Sequence, residues 1–131
     1  MLDTQEWILL GHQFKLRLHK ESRENSPIFL QFIEVVRIIR RHSPRAFQFD
    51  EQLLIDILDE ATAPRTTTFL FDNVRDRRLH KIPKARDLFA EIAERAGPEP
   101  AELEDIDLDG IGVEEFDVWF AFYERPVPYF Y

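Results

Sequence analysis

The chain has 131 residues, 44% of them hydrophobic and 32% charged, a balance that suits one soluble globular unit able to bury roughly two thirds of its unfolded surface. It contains no cysteine, which excludes disulfides, zinc-thiolate sites and cysteine nucleophiles within these residues. The net charge of −8 is lopsided: residues 1–97 hold 16 basic against 15 acidic side chains, and residues 98–131 hold one against ten. A duplex nucleic-acid binder would carry a net basic footprint, so no nucleic-acid partner is expected. The apolar runs fall far short of the roughly 18–20 residues of a membrane span, and no charged-then-apolar secretory signal is visible.

The dominant period is helical. Asp3 followed by Glu6 is a plausible capping arrangement for a first helix, on which Trp7, Leu10, Phe14 and Leu18 share one stripe. Residues 19–25 read as a polar linker. Ser26 is a good N-cap for the second helix, and Pro27 at its first position costs nothing because that N–H would be unpaired anyway. Phe29, Phe32, Ile33, Val36 and Ile39 line one face, widened by Ile28 and Val35, until Ser43-Pro44 ends the helix. Asp50 caps a third helix, with Phe49 placed to staple against Leu54 and with Leu53, Leu54, Ile57, Leu58 and Ala61 buried.

Thr66 to Phe71 is β-branched and aromatic, either a short strand or an extended connector. Pro83 opens a fourth helix with Leu88, Phe89, Ile92 and Ala96 inward, stopped by Gly97-Pro98. Residues 97–113 form an acidic loop bearing Pro and Gly, and Glu114 to Arg125 reads as a last helix of about three turns carrying Phe116, Trp119, Phe120 and Tyr123. The expected fold class is mainly α, about five helices with at most a short strand near 66–71.

Three features invite a chemical reading. Asp105, Asp107, Asp109 and Gly110 fit the opening of a calcium loop, but its closing carboxylate falls one residue early, at Glu115, so a solvated acidic loop is the better account. Arg37, Arg40, Arg41 and Arg45 lie on one side of the second helix or just beyond it. Their planar forks suit phosphate, although such a row is more often the wet face of a helix. The run Arg75 to Lys81 is equally ambiguous. His12, His19, His42 and His80 are scattered without metal-ligand spacing, and no nucleophile elbow, dinucleotide fingerprint or Walker loop is present. No catalytic, cofactor-binding or metal-ligating residue is assigned, and no cofactor is expected.

The residues nevertheless resemble a family. Glu6-Trp7, Gly11-His12-Gln13-Phe14 and Arg17 look like the "EW…GH.F..R" helix of the myotubularin phosphoinositide phosphatases, and "SPIFLQFIEVV" looks like the helix that follows it. Pro44, Ala46-Phe47, Phe49, Glu51, Leu53 and Ile57-Leu58-Asp59 match its "QFP.AFEF.E.FL..ILD" wording. "TFLF" at 68–71 with Arg75 and Arg77 resembles its "GTFL…ER" turn, and Trp119, Tyr123 and Arg125 resemble its closing "L..W..YY.RW.P" helix.

The resemblance implies one partial domain over 1–131, the C-terminal helical section of an α/β phosphatase domain. The family's catalytic C-x5-R loop, whose thiolate attacks the 3-phosphate of phosphatidylinositol phosphates, lies upstream of the Glu-Trp helix. With no cysteine here, no catalytic residue can be carried over. Arg65-Thr66-Thr67-Thr68 departs from the aromatic-Gly-Thr turn of catalytic members and reads closer to the inactive, pseudophosphatase branch. The expected chain is therefore not an enzyme by itself. Its expected partner is the missing N-terminal half of its own domain or a catalytic myotubularin-like protein. The expected location is cytoplasmic, with contact to endosomal membranes only through a parent protein.

Overall fold

The computed structural model describes residues 7, 10–18, 23–62, 69, 74–80, 88–95 and 102–124. Six helical stretches follow in order among them: α1 (Phe14–Leu18), α2 (Ile28–His42), α3 (Glu51–Thr62), α4 (Val74–Leu79), α5 (Leu88–Arg95) and α6 (Phe120–Tyr123). Single 3-10 turns stand at Pro44–Ala46 and Val113–Glu115. No strand occurs among the described residues, and the mainly helical class holds. Of the TTTFLF stretch only Phe69 is described, buried in a turn; the rest of it, and Pro83, lie outside the described residues.

Helix α3 is central, packed by α1, α2 and α5. The Asp50 side chain caps it as expected, accepting the Leu53 N–H at 3.0 Å. Its buried set is wider than the sequence stripe, adding Ile55 and Glu60 to Leu53, Leu54, Ile57, Leu58 and Ala61. A helix covered on several sides buries residues beyond a single amphipathic face.

Helix α2 supplies the second wall. It begins at Ile28 with Pro27 in the cap position, one residue later than Ser26 predicts, and no side chain caps it. Phe29 and Ile33 are fully buried, while Phe32, Val36 and Leu30 pack partly against the same core. Ile28 and Val35, expected to widen this face, are exposed instead; seven residues apart, they share a seam that no described element covers. Aromatic rings build the junction of α1 with α2. Phe14 meets Phe29 edge-on at 4.7 Å and Phe69 at 4.9 Å, and Trp7 meets Phe29 at 5.2 Å.

Two predicted helices are corrected. The first does not run through from Trp7 to Leu18. Gly11 adopts φ +82, and the His12 N–H bonds to the Trp7 carbonyl at 2.9 Å, the six-to-one closure of a Schellman turn. Leu10 is consequently thrown outward, 87% exposed, and the chain restarts as a helix only at Phe14. The last predicted helix, Glu114 to Arg125, is broken into the Val113–Glu115 turn and the short α6. Helix α4, absent from the sequence reading, occupies part of the Arg75 to Lys81 run and ends where the His80 N–H bonds to the Asp76 carbonyl.

Candidate functional site

The chemistry of the described surface concentrates where residues 102–124 lie along α2. Contacts run in antiparallel order. Arg45 Nε meets Glu104 Oε1 at 3.2 Å, and the Ser43 hydroxyl donates to the Asp107 carbonyl and accepts the Asp107 N–H, both at 3.1 Å. His42 Nε2 then donates to the Asp109 carbonyl at 3.2 Å. Farther along the arm, Arg41 holds Glu115 and Asp117, Arg37 holds Asp117, and Tyr123 donates its hydroxyl to Glu34 at 2.9 Å. The acidic stretch is therefore an arm seated on the arginine side of α2.

Spacing explains the fit. Arg37, Arg41 and Arg45 are four residues apart, so their side chains stack along one side of the helix and its exit. Asp117 bridges two of them, one oxygen to each: Oδ1 to Arg37 Nη2 at 2.9 Å and Oδ2 to Arg41 Nη1 at 2.8 Å. Those donated hydrogen bonds hold the Asp117 carboxyl at about 2, below its ordinary 3.8, and the same bonds from Asp117 and Glu115 push the Arg41 guanidinium upward. Partial burial, with the Glu34 carboxylate beside it, pushes the Tyr123 hydroxyl up to about 12.

The same arginines break the helix that the sequence predicts. In an α-helix the Glu115 and Asp117 carbonyls would accept the N–H groups four residues on. Here Arg41 Nη2 takes the Glu115 carbonyl at 2.8 Å and Arg37 Nη2 takes that of Asp117 at 3.3 Å. The chain stays open until Trp119, which enters the core at 1% exposure beside Phe122, their rings 5.2 Å apart. The Trp119 indole N–H bonds to the Glu51 carboxylate at the start of α3, and Arg37 lies over the ring at 5.3 Å. Phe116 and Phe120, which the sequence groups with Trp119 on the last helix, are left exposed.

The arginine row is thus neither an open phosphate cradle nor a simple wet face. Arg37 is only 7% exposed, with its Nε buried and unpartnered, and Arg40 turns its Nε to the Phe49 carbonyl at 2.7 Å. Arg41 and Arg45 remain at the surface. Asp105, Asp107 and Asp109 do not converge with other donors on a common point; among the described residues no group of three or more His, Asp or Glu is arranged to hold a metal ion. Asp107 Oδ1 instead accepts the Asp109 N–H at 2.9 Å. His12 stacks edge-on between Trp7 and Phe14, each ring centre 4.7 Å away, and His80 bonds back to the Asp76 carbonyl. Sequence reasoning missed the pairing of arm and arginines, although a row of bases at helical spacing and a distant stretch of acids were both visible in it. No described helix is long and apolar enough to cross a membrane.

The family model described as "Myotubularin-like phosphatase domain" matches residues 1–78, which takes in the Schellman turn, α1, α2 and α3. Phosphatidylinositol-3,5-bisphosphate 3-phosphatase MTMR2 of Pongo abelii is 37% identical over 89 residues, 64% of this chain and 14% of that protein. Myotubularin of Xenopus tropicalis is 39% identical over 84 residues, 59% of this chain and 14% of that protein. A Dictyostelium discoideum protein named "Probable serine/threonine-protein kinase pats1" is 38% identical over 84 residues, 63% of this chain and 3% of that one. The chain spans about 14% of the length of MTMR2 and of myotubularin. With more than half of its residues matched by the family model, the chain belongs to the myotubularin-like phosphatase domain family.

Proposed function

We propose that this chain is a non-catalytic helical section of a myotubularin-like phosphoinositide phosphatase domain, structural in role and silent in phosphoryl chemistry on its own. One observation carries the reading: the family match covers residues 1–78, yet none of the 131 residues is a cysteine. A thiolate phosphatase needs a cysteine of lowered pKa held beside an arginine and backbone donors. The arginines best placed to meet a phosphate, Arg37 and Arg41, already hold Asp117 and Glu115. Among the matched residues that are buried, Phe14, Phe29, Leu54 and Leu58 build core and carry no reacting group.

The test is phosphate release from phosphatidylinositol 3-phosphate and 3,5-bisphosphate by the purified chain. The expected rate equals that of a heat-killed control, and turnover above it overturns the reading. A second reading, a pseudophosphatase-type adaptor that binds a catalytic myotubularin-like protein, is favoured by the Arg65-Thr66-Thr67-Thr68 wording. Co-purification of the tagged chain with a catalytic homologue supports it, and a strictly monomeric chain in the presence of that homologue removes it.

A further inference from the structure

Eight of the twelve large apolar side chains exposed among the described residues lie between 102 and 124. That stretch also carries nine carboxylates and no lysine or arginine. The two facts concern one outward surface, because the inner side of the arm is occupied by α2 and its exit through Glu104, Asp107, Asp109, Glu115 and Asp117. Every residue from 102 to 110 is exposed, so Leu103, Ile106 and Leu108 stand in water among Glu102, Asp105 and Asp109. Phe116, Val118 and Phe120 continue the apolar series beyond the turn. Glu102, Asp105 and Glu114 form no ion pair among the described residues.

A merely solvated acidic loop has no use for such side chains, which gain when taken out of water. The arm is also held, by Trp119 and Phe122 in the core and by the arginines of α2, so it presents its surface at a fixed place. Its residues lie past 78, where the family match ends, so the surface is an addition to what the chain shares with that model.

We propose that the outer face of residues 102–120 docks a basic amphipathic segment of a partner protein, whose apolar side chains cover Ile106, Leu108 and Phe116 while its lysines or arginines meet Glu102, Asp105 and Glu114. Charge complementarity selects this occupant. Anionic lipid and nucleic acid are repelled by the same carboxylates, and two arms of this chain face to face repel each other. The interleaving of acidic and apolar residues matches the apolar core and polar rim of a protein interface, and a basic amphipathic helix offers both complements at once. The docking does not depend on the catalytic state of the parent domain.

The experiment uses the full chain and three fluorescent synthetic peptides: an amphipathic leucine–lysine helix, the same peptide with leucine replaced by serine, and the same with lysine replaced by glutamate. Anisotropy at physiological salt should show binding of the first, with the other two weaker by at least about tenfold, a difference near 1.4 kcal/mol. Ile106→Ser with Leu108→Ser should weaken the first by about tenfold or more, at an unchanged urea midpoint. Glu102→Gln with Asp105→Asn should weaken it and flatten its salt dependence. Absence of binding overturns the proposal, as does equal binding of the serine peptide, which would reduce the effect to bulk charge. Sedimentation showing a dimer lost in Ile106→Ser/Leu108→Ser would give the face to a second copy, and capture by phosphatidylserine vesicles lost in the same variant would give it to lipid. Either result overturns it too.

Discussion

Replacing Trp119 with alanine tests whether the C-terminal arm is a member of the core or an appendage laid over it. Trp119 is 1% exposed and belongs to the same buried cluster as Phe14, Phe29, Leu54 and Leu58. Trp119→Ala removes that burial, the ring contact with Phe122, the indole bond to Glu51 and the surface under Arg37. Truncations of this kind cost about 3–5 kcal/mol, a large share of the roughly 5–15 kcal/mol that holds a typical domain folded. With a urea slope of about 1–3 kcal/mol per molar, the midpoint should fall by one to a few molar. Trp119→Phe, which keeps most of the apolar burial, should lose only about 1–3 kcal/mol, the cost of leaving the Glu51 carboxylate without its donor. Because the chain has two tryptophans, Trp7 becomes the single reporter in both variants. Its fluorescence and far-UV ellipticity should report one shared, shifted transition. A loss below about 1 kcal/mol refutes the reasoning. So does hydrogen exchange that speeds up only within 102–124 while the Trp7 transition stays put.

Acid should act through Asp117. Its folded carboxyl lies at about 2, below the ordinary 3.8, so the stability it contributes is present above the ordinary value and lost as pH falls from about 4 toward about 2. The difference in urea midpoint between the native chain and Asp117→Asn should therefore be full at neutral pH, shrink across that interval, and narrow with added salt because the group is half exposed. A difference that stays constant through the acid range would contradict it. Gly110 adopts φ +88, and the nearest atom to an added Cβ is His42 Cε1 at an ordinary 3.9 Å, so Gly110→Ala should cost only the left-handed backbone penalty, about 1–2 kcal/mol. Equal melting of the two proteins would show that the turn yields freely.

Much of the interior was legible as period and punctuation. The apolar series Phe29, Phe32 and Ile33 names the inward face of α2, Pro44 stops that helix, and Asp50 starts the next, because each acts within a turn or two of itself. Gly11 was legible too, as a left-handed helix stop, but the spacing of Trp7, Leu10, Phe14 and Leu18 argued louder for a continuous helix and misled. The Glu114 to Arg125 prediction failed for a different reason. Periodicity counts local hydrogen bonds, whereas the Glu115 and Asp117 carbonyls are claimed by arginines more than seventy residues earlier. Glu60, which the sequence stripe leaves out, is buried because α3 is covered on several sides. The candidate site was readable only as two halves, a row of bases and a stretch of acids, and it takes the fold to bring them together.

The antiparallel seating of the arm also has a kinetic meaning. Its hydrogen bonds to α2 and the helix exit join residues 59 to 89 positions apart, from Arg45–Glu104 to Glu34–Tyr123. Loop-closure entropy grows only with the logarithm of length, so the longest of these closures costs only about 0.4 kcal/mol more than the shortest. No contact in the series is favoured to form first by chain length alone, and whichever forms first shortens the remaining loops to about thirty residues or fewer. The arm should therefore close onto α2 as one cooperative event, after the local helices exist, and open as one.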